Sequence, residues 1–340
     1  MKVEFVEHGT QWDEFVMATS RDLSYHRWVW REIIQETFGH QPFYLAAIDN
    51  GEFCGVLPLV FIRSLIFGNS LVSVPFFSYG GVLATSDEAR EALLERAGAL
   101  ARELGAGHIE LRQGEECPMS WTGISPRVTM ELHLPSTADE FWKGLSSGMR
   151  NKVRQGQKAG YRIEWGGENL VRSFYEVFAT NMRNLGTPVY PISFFANQLS
   201  RAGDKITILM LWDDDKPIAG SFLTAHGETL ELPWSASLPE SRKKYSQVTM
   251  YWLFVQRAIE QGFKRIDLGR CVKGSGTYEF KRHWKAVERP LHWYYWLKDG
   301  ASLPNLRPDN PKFKMATNIW KRLPLAIANG LGPHVVRALP

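Results

Sequence analysis

The chain has only three cysteines in 340 residues, Cys54, Cys117 and Cys271, far apart and in no CxxC or Cys/His spacing. That scarcity excludes a disulfide framework and a zinc finger, and it fits a reduced, cytoplasmic setting. Long apolar runs are missing as well. The most hydrophobic stretch, Val56–Phe67, is broken by Pro58 and Arg63, whereas a membrane span needs about twenty apolar residues. The opening MKVEFVEHGTQWDEF lacks the apolar core of a secretory leader, so a cytoplasmic protein is expected. None of the nine histidines stands in an HxxxH or HExxH pair, and no metal site is expected. No Ser–His–acid arrangement can be assembled from the sequence either; lone histidines such as His226 and His292 read as packed or surface residues.

What the chain does hold is aromatic surface and lopsided charge. It carries 13 tryptophans; such side chains can line pockets for sugars, bases or lipids, though most simply pack. A hydrophobic share of 44% with 22% charged residues is that of a soluble globular protein. The length suffices for two domains with sizeable cores. The net charge of +4 hides an asymmetry: residues 1–140 hold 10 Lys and Arg against 20 Asp and Glu, and residues 141–340 hold 30 against 16. An acidic half joined to a basic half points to different partners. The basic half suits phosphates, an anionic membrane surface or RNA, or it is a surface imbalance with no ligand.

The densest stretch is DLGRCVKGSGTYEFKRHW, residues 267–284. Gly269 to Gly274 mimics the start of a nucleotide-triphosphate loop, but Ser275-Gly276 stands where Lys-Ser or Lys-Thr should. Without the phosphate-reaching lysine that reading fails. On an alternating strand, Arg265 and Asp267 project to one side and Ile266 and Leu268 to the other. A glycine turn follows, then a short helix that Ser275 or Thr277 can cap. Lys281 and Lys285 share one face of it, Phe280 and Trp284 another. A strand end, glycine turn and helix start present backbone N–H groups to an anion. The plainer reading is a helix cap beside a solvated basic face.

Alternating short strands and amphipathic helices favour an α/β or α+β architecture. Strands are expected near 3–7, 43–49, 54–63, 70–75, 107–112 and 128–134, and again near 161–165, 206–213, 216–226, 229–237, 263–268 and 290–297. Helices fit 11–19, 26–38 and 86–104, then 137–158, 168–184, 191–201 and 247–261, with a short one after Gly276. The two series run in the same order. GAGHIELR (105–112) corresponds to GFKRIDLG (262–269), PFFSYGG (75–81) to PWSAS (233–237), and the turn DNGE (49–52) to DDDK (213–216). This is the pattern of a duplicated unit. The expected bounds are 1–135 and 136–300, the second unit carrying the main site, followed by a tail over 301–340.

Two helices, a three-strand meander, a long helix and another strand resemble the GNAT acyltransferase unit. Two such units in tandem resemble the Fem transferases, which attach amino acids to peptidoglycan precursors in the bacterial cytoplasm. VPFFSYGG (74–81), MRNKVRQGQKAG (149–160), NMRNLGTPVY (181–190), KKYS (243–246), DLGRCVKGSGTYEFKRHW (267–284), LHWYYWL (291–297) and RPDNPKFK (307–314) look more closely like one FemAB-like branch. That branch accompanies exosortase (PEP-CTERM) and exopolysaccharide systems. The resemblance implies two tandem GNAT-like units with mixed sheets flanked by helices. The run Gly276, Thr277, Tyr278, Phe280, Lys281 resembles the Fem Phe-Lys signature, which implies that Lys281 touches substrate. Ordinary GNAT enzymes bind the diphosphate of coenzyme A with a glycine-bearing stretch before the long helix. SRKKYSQ (241–247) has no glycine there, so the donor stays open between acyl-CoA and aminoacyl-tRNA. Lys243, Lys244 and Tyr245 can serve the end of such a tRNA.

Asp267 is the candidate to orient or deprotonate an acceptor; otherwise it pairs with Arg265 or Arg270. Arg150, Arg154 and Lys158 recur at helical spacing, with no acid from Lys143 to Arg162. Such a stripe can hold a diphosphate or an RNA backbone, or it is a solvated helix face. NMRNLGTPVY most simply ends a helix, with Gly186 as left-handed cap and Pro188 as stop; Asn181 and Arg183 can still reach a pocket. Arg270, with Gly276, Thr277 and Tyr278, completes the candidate substrate contacts.

The expectation is therefore a cytoplasmic acyl- or aminoacyltransferase with no bound cofactor and no metal. It acts on a cell-envelope or exopolysaccharide precursor, saccharide or lipid-linked, by direct attack of an amine or hydroxyl on an activated carbonyl. The protein supplies proximity and charge stabilisation. The alternatives are an acyl-CoA-dependent N- or O-acyltransferase and a non-catalytic scaffold of the polysaccharide machinery. DNA is not expected, and the aromatics do not form an RRM pattern. In the tail, Pro304, Pro308 and Pro311 disfavour a helix. From Phe313 on, Met315, Ile319, Trp320 and Leu323 are spaced to share a face, with Lys312, Lys314, Lys321 and Arg322 beside them. Pro324 should interrupt, and Leu325–Val336 offers a second apolar piece. This tail either lies on the inner face of an anionic membrane or packs back over the second unit's sheet.

Overall fold

The first tight turn falls at Asn50-Gly51, where both residues have positive φ, 51° and 88°, the left-handed pair that a two-residue hairpin needs to match strand twist. Asp214 takes φ 54° in the corresponding turn of the second half. The computed structural model describes residues 1–19, 24–65, 67–125, 127–299, 303 and 311–339.

The chain runs β1 (Lys2–Phe5), α1 (Gly9–Thr19), α2 (Val29–Phe38), β2 (Gln41–Asp49), β3 (Glu52–Ile62), β4 (Ser70–Val72), β5 (Leu83–Ala84), α3 (Asp87–Glu103), β6 (His108–Gln113) and β7 (Thr122–Ile124). It continues through β8 (Val128–His133), α4 (Ala138–Gly144), α5 (Ser147–Gln157), β9 (Arg162–Gly166), α6 (Val171–Leu185), α7 (Ile192–Ala202), β10 (Ile206–Asp213), β11 (Lys216–His226) and β12 (Thr229–Ser237). Then come α8 (Pro239–Arg242), α9 (Ser246–Glu260), β13 (Arg265–Cys271), α10 (Gly276–Arg282), β14 (Val287–Pro290), β15 (His292–Leu297), α11 (Pro311–Trp320) and α12 (Leu325–Arg337).

Two compact units result. The first comprises Met1–Arg127, Pro290–Leu306 and His334–Pro340. Its sheet has the order β1-β2-β3-β4-β6-β15-β7, with β5 on β3, and β4 runs parallel to β6. Ser86 caps α3 by accepting from the Ala89 N–H at 3.2 Å. Leu93, Leu94, Ala97, Leu100 and Ala101 of α3 pack on Leu45, Leu57, Leu71 and Ile109 of the strands. Trp12 and Val16 of α1 pack with Tyr44, Ala46 and Val56, alternate strand residues facing the other way. Each large side chain buried in these layers contributes about 1.5–3 kcal/mol.

The second unit comprises Val128–Arg289 and Arg307–Pro333, with sheet order β14-β8-β13-β12-β11-β10-β9. Leu209 and Leu211 of β10 join a core with Met149, Val153, Met250, Phe254 and Trp284. On the other face, Phe174, Phe195, Phe222 and Trp234 pack edge to face or tilted at 5.2–5.7 Å between centroids. The units are thus cut differently from the expected 1–135 and 136–300. The strand at 128–133 pairs with β13, and the one at 292–297 pairs with β6. Local alternation announces a strand but not its hydrogen-bonding partner.

The helix expected over 137–158 is two helices. Ser146, extended at φ −61° and ψ 153°, caps α5 by accepting from the Met149 N–H at 3.2 Å, so the cap preference of serine overrides the continuous pattern. Of the tail, Pro304, Pro308 and Asp309 lie outside the described residues. Pro311 opens α11, a position where its missing N–H costs little. Among the described residues no helix is long and apolar enough to cross a membrane.

Candidate active site

β12 and β13 pair in parallel at Thr229↔Arg265, Leu230↔Ile266 and Glu231↔Asp267, where their register ends. β12 then stays with β11 as far as Ser237↔Ala219. β13 stays with β8 through Arg270↔Thr129 and Cys271↔Val128, after a bulge. The two strands part, and their facing backbone groups no longer satisfy one another. Gly269 forms the bulge with φ 75°, and a Cβ there would lie 3.1 Å from the Leu232 carbonyl. Both the left-handed conformation and the close approach call for glycine.

Asp267, only 4% exposed, anchors this bulge. Its Oδ1 accepts from the Gly269 N–H at 2.8 Å and from the Thr129 hydroxyl. Glu231 stands beside it in the parallel register, its Oε2 3.0 Å from His226 Nε2. On the other side Glu131 is approached by Arg265 at 3.9 Å and Arg289 at 3.8 Å. Lys281 is also 4% exposed; its Nζ donates to the Gly269 carbonyl at 2.8 Å and lies 3.5 Å from that of Arg270. Burial pulls its pKa below the usual lysine value, against the opposing pull of Cys271 and Asp267. The site therefore holds a desolvated ammonium and a buried carboxylate on either side of one glycine.

α10 starts from Ser275, not Thr277: the Ser275 hydroxyl accepts from the Tyr278 N–H at 3.2 Å. Gly276 and Thr277 are exposed in its first turn. The Tyr278 hydroxyl donates to Glu288 Oε2 at 2.7 Å, and Glu288 also pairs with Lys273 at 2.6 Å; the hydrogen bond to Glu288 raises the pKa of the phenol. Across from α10, the Tyr251 ring of α9 meets Phe280 edge-on at 4.9 Å and lies 5.6 Å from Trp284. Its phenol is pushed upward by burial and by neighbouring Cys271.

A second corner forms at the start of α9. Tyr245, left-handed at φ 60°, precedes the helix without a side-chain cap. The amides of Ser246, Gln247 and Val248 find no acceptor among the described residues, so they stand at the positive end of the helix dipole. Arg242 shapes the preceding turn, donating from Nη2 to the Ser237 carbonyl and to Asn181 Oδ1, both at 2.8 Å. Tyr161 donates to the Lys244 carbonyl at 3.0 Å; burial, then nearby Asp213, pushes its phenol up to about 12. The Lys244 ammonium pairs with Asp213 at 3.0 Å. α5 crosses here at Gly156, where a Cβ would fall 2.0 Å from Thr249 Oγ1. Arg150 donates to the carbonyls of Lys143 (3.2 Å) and Leu145 (3.0 Å). Arg154 sits 5.3 Å over Trp142, and Lys158 is exposed at the helix end.

The structure thus gathers Asp267, Arg270, Lys281, Gly276, Thr277 and Tyr278 at the β13–α10 corner. Lys244, Tyr245 and the Arg150–Lys158 helix meet at the α9 corner. Arg183 is on the last turn of α6, its Nε buried with no hydrogen-bond partner among the described residues. Sequence reading missed Thr129, Glu231 and Tyr251. The matched alternation of TLEL (229–232) and RIDL (265–268) is the signal that would have placed Glu231 beside Asp267; Tyr251 carries no such mark.

Residues 145–282, which span both corners, match the family model of the acetyltransferase (GNAT) domain. The match, over less than half of the chain, is the sign of an acyltransferase. Among solved structures, FemX is similar over 88% of this chain and 98% of its own, with a TM-score of 0.68 and 18% identity. A tandem GNAT protein from the clavulanic acid biosynthesis pathway covers 88% of this chain and 100% of its own, at TM-score 0.57 and 12% identity. The C-terminal domain of a putative lysylphosphatidylglycerol synthetase from Agrobacterium fabrum covers 84% and 90%, at TM-score 0.56 and 13% identity. At these identities the likeness is one of fold, and that fold is the tandem GNAT-like one. No curated protein sequence matches the chain significantly.

Proposed function

We propose that this acyltransferase is Fem-like and moves an aminoacyl or acyl group onto a saccharide or lipid-linked precursor of the cell envelope or an exopolysaccharide. The observation that carries the proposal is the placement of Asp267 and Lys281 around Gly269, where β12 and β13 part. In the proposed reaction an acceptor amine or hydroxyl attacks the donor carbonyl and passes its proton to the Asp267 carboxylate. The oxygen that gains charge is stabilised by the Lys281 ammonium, whose desolvated setting makes that interaction stronger than in water. The bond to the donor's leaving oxygen or sulfur then breaks, and that atom takes up a proton. Arg270 and the Gly276–Tyr278 turn contact the acceptor, and Arg183 is assigned no step.

The α9 corner is the proposed donor site, where the partly exposed Gln247 amide and the positive end of the helix dipole face phosphate. The exposed cations Arg154, Lys158 and Lys243 lie on the helix and turn beside it. The glycine-free loop and the motif resemblance favour an aminoacyl-tRNA. The positive end of the helix dipole favours acyl-CoA, which is the second reading. The exopolysaccharide setting, the cytoplasmic location and the assignment of the main site to the second unit belong to this same proposal. Mass spectrometry of lipid-linked and nucleotide-sugar precursors, with and without the protein and either donor, tests it. A mass increase of one acyl or aminoacyl group is expected, absent with Lys281→Met. An unchanged precursor pool with both donors would leave the scaffold role.

A further inference from the structure

Residues 311–339 contain Lys312, Lys314, Lys321, Arg322 and Arg337 and no acid. In the second unit α11 is seated by one face. Thr317 and Lys321 lie against Gly186, where a Cβ would come within 2.5 Å of Thr317 Cγ2 and 3.1 Å of Lys321 Cγ. α12 is seated by buried Ala328 and by Gly332, where a Cβ would come 2.9 Å from the Val189 backbone. Away from these seats both helices carry exposed apolar side chains. Met315 and Ile319 flank Thr317 two residues away on either side, about half a turn around the helix, and are 63% and 57% exposed. Ile327 and Leu331, one turn apart on α12, are 48% and 50% exposed. Lys314, Lys321 and Arg322 are exposed among them. Scattered exposed apolar residues are ordinary, but such a run on two helices whose inner faces are already seated is not.

We propose that the outer faces of α11 and α12 dock on an anionic lipid surface. The aliphatic side chains enter the boundary between headgroups and acyl chains, while Lys314 and Arg322 meet lipid phosphates. A second copy of the chain is disfavoured, because a symmetric contact would press two acid-free basic surfaces together. RNA is disfavoured because single-strand sites add aromatic stacking platforms to a basic groove, and the exposed apolar side chains here are aliphatic. The proposal stands independently of the transferase reading.

Sedimentation of the 340-residue chain with phosphatidylglycerol–phosphatidylcholine vesicles tests it. The protein is expected in the vesicle pellet, with less at high salt and little on phosphatidylcholine alone. The double change Met315→Glu, Ile319→Glu should weaken partitioning at least about tenfold. Its thermal melting should stay unchanged, because both side chains point to solvent. Lys314→Gln with Arg322→Gln should weaken binding less and flatten its salt dependence. Protein left in the supernatant, equal binding to neutral vesicles, or wild-type binding by the glutamate variant would each overturn the proposal. So would concentration-dependent dimerisation abolished by Ile319→Glu, which would make a second copy the occupant.

Discussion

The Lys281 ammonium lies 2.8 Å from the carbonyl oxygen of Gly269, the residue whose own N–H is held 2.8 Å from Asp267. One bulged glycine therefore sets the distance between the cation and the acid. Its left-handed backbone turns the carbonyl toward α10 and the N–H toward the carboxylate. The geometry separates two roles that point mutations can tell apart.

Lys281→Met keeps the length and removes the charge. Removing the buried ammonium relieves its desolvation, which offsets much of the roughly 1.5–3 kcal/mol lost with its hydrogen bond to the Gly269 carbonyl. Transfer should fall by about 10²–10³-fold, with a melting temperature close to that of the wild type. A wild-type rate would remove Lys281 from the chemistry. In the wild type, transfer should also decline at a lower pH than an ordinary lysine would give, because burial lowers the Lys281 pKa.

Asp267→Asn retains an oxygen for Gly269 and Thr129 but cannot take a proton. A rate lowered by about 10²–10⁴-fold in a folded protein would mark a base. Unchanged turnover would confine Asp267 to anchoring the bulge.

Glu110 and Arg112 of the first unit stand where the second unit has Asp267 and Gly269. They form a buried ion pair at 2.7 Å, which Tyr295 joins at 2.8 Å and from which Arg112 reaches the Phe77 carbonyl at 2.9 Å. Arg112→Met should cost about 3–5 kcal/mol by stranding the carboxylate. Adding Glu110→Gln should recover part of that loss, as denaturant midpoints would show. A single variant as stable as wild type would contradict the pairing.

Acid should destabilise the first unit. His26 is buried with Nε2 2.7 Å from the Gly81 carbonyl, and burial lowers its pKa to about 4. The unfolded chain binds that proton near pH 6.5 and the native one only near 4, so stability falls as pH drops through this window. The loss is about 3 kcal/mol. His40, lowered to about 4 by burial and by Arg337, acts in the same direction. His26→Gln should flatten the dependence of the urea midpoint on pH between 6.5 and 4. An equally steep loss in the His26, His40 double glutamine variant would assign it to other groups.

Much of this candidate site is legible in the sequence. Asp267, the glycine turn and Lys281 stood in one stretch, because a strand end, a bulge and a capped helix each need particular residues in order. The duplicated series also showed through its matching turns. What stayed hidden depended on partners distant in sequence. The pairing of 128–133 with β13 and of 292–297 with β6 obeys no local period. Thr129 reaches Asp267 across 138 positions. Arg150 and Lys244 read as free cations, yet their local partners, the Leu145 carbonyl and Asp213, emerge only from the fold.

The most direct test of the account is donor dependence, read by mass spectrometry of the acceptor. With charged tRNA supplied, transfer should occur, ribonuclease should abolish it, and an acyl-coenzyme A should not restore it. Transfer that survives ribonuclease and runs on acyl-coenzyme A alone would contradict the aminoacyl-tRNA reading.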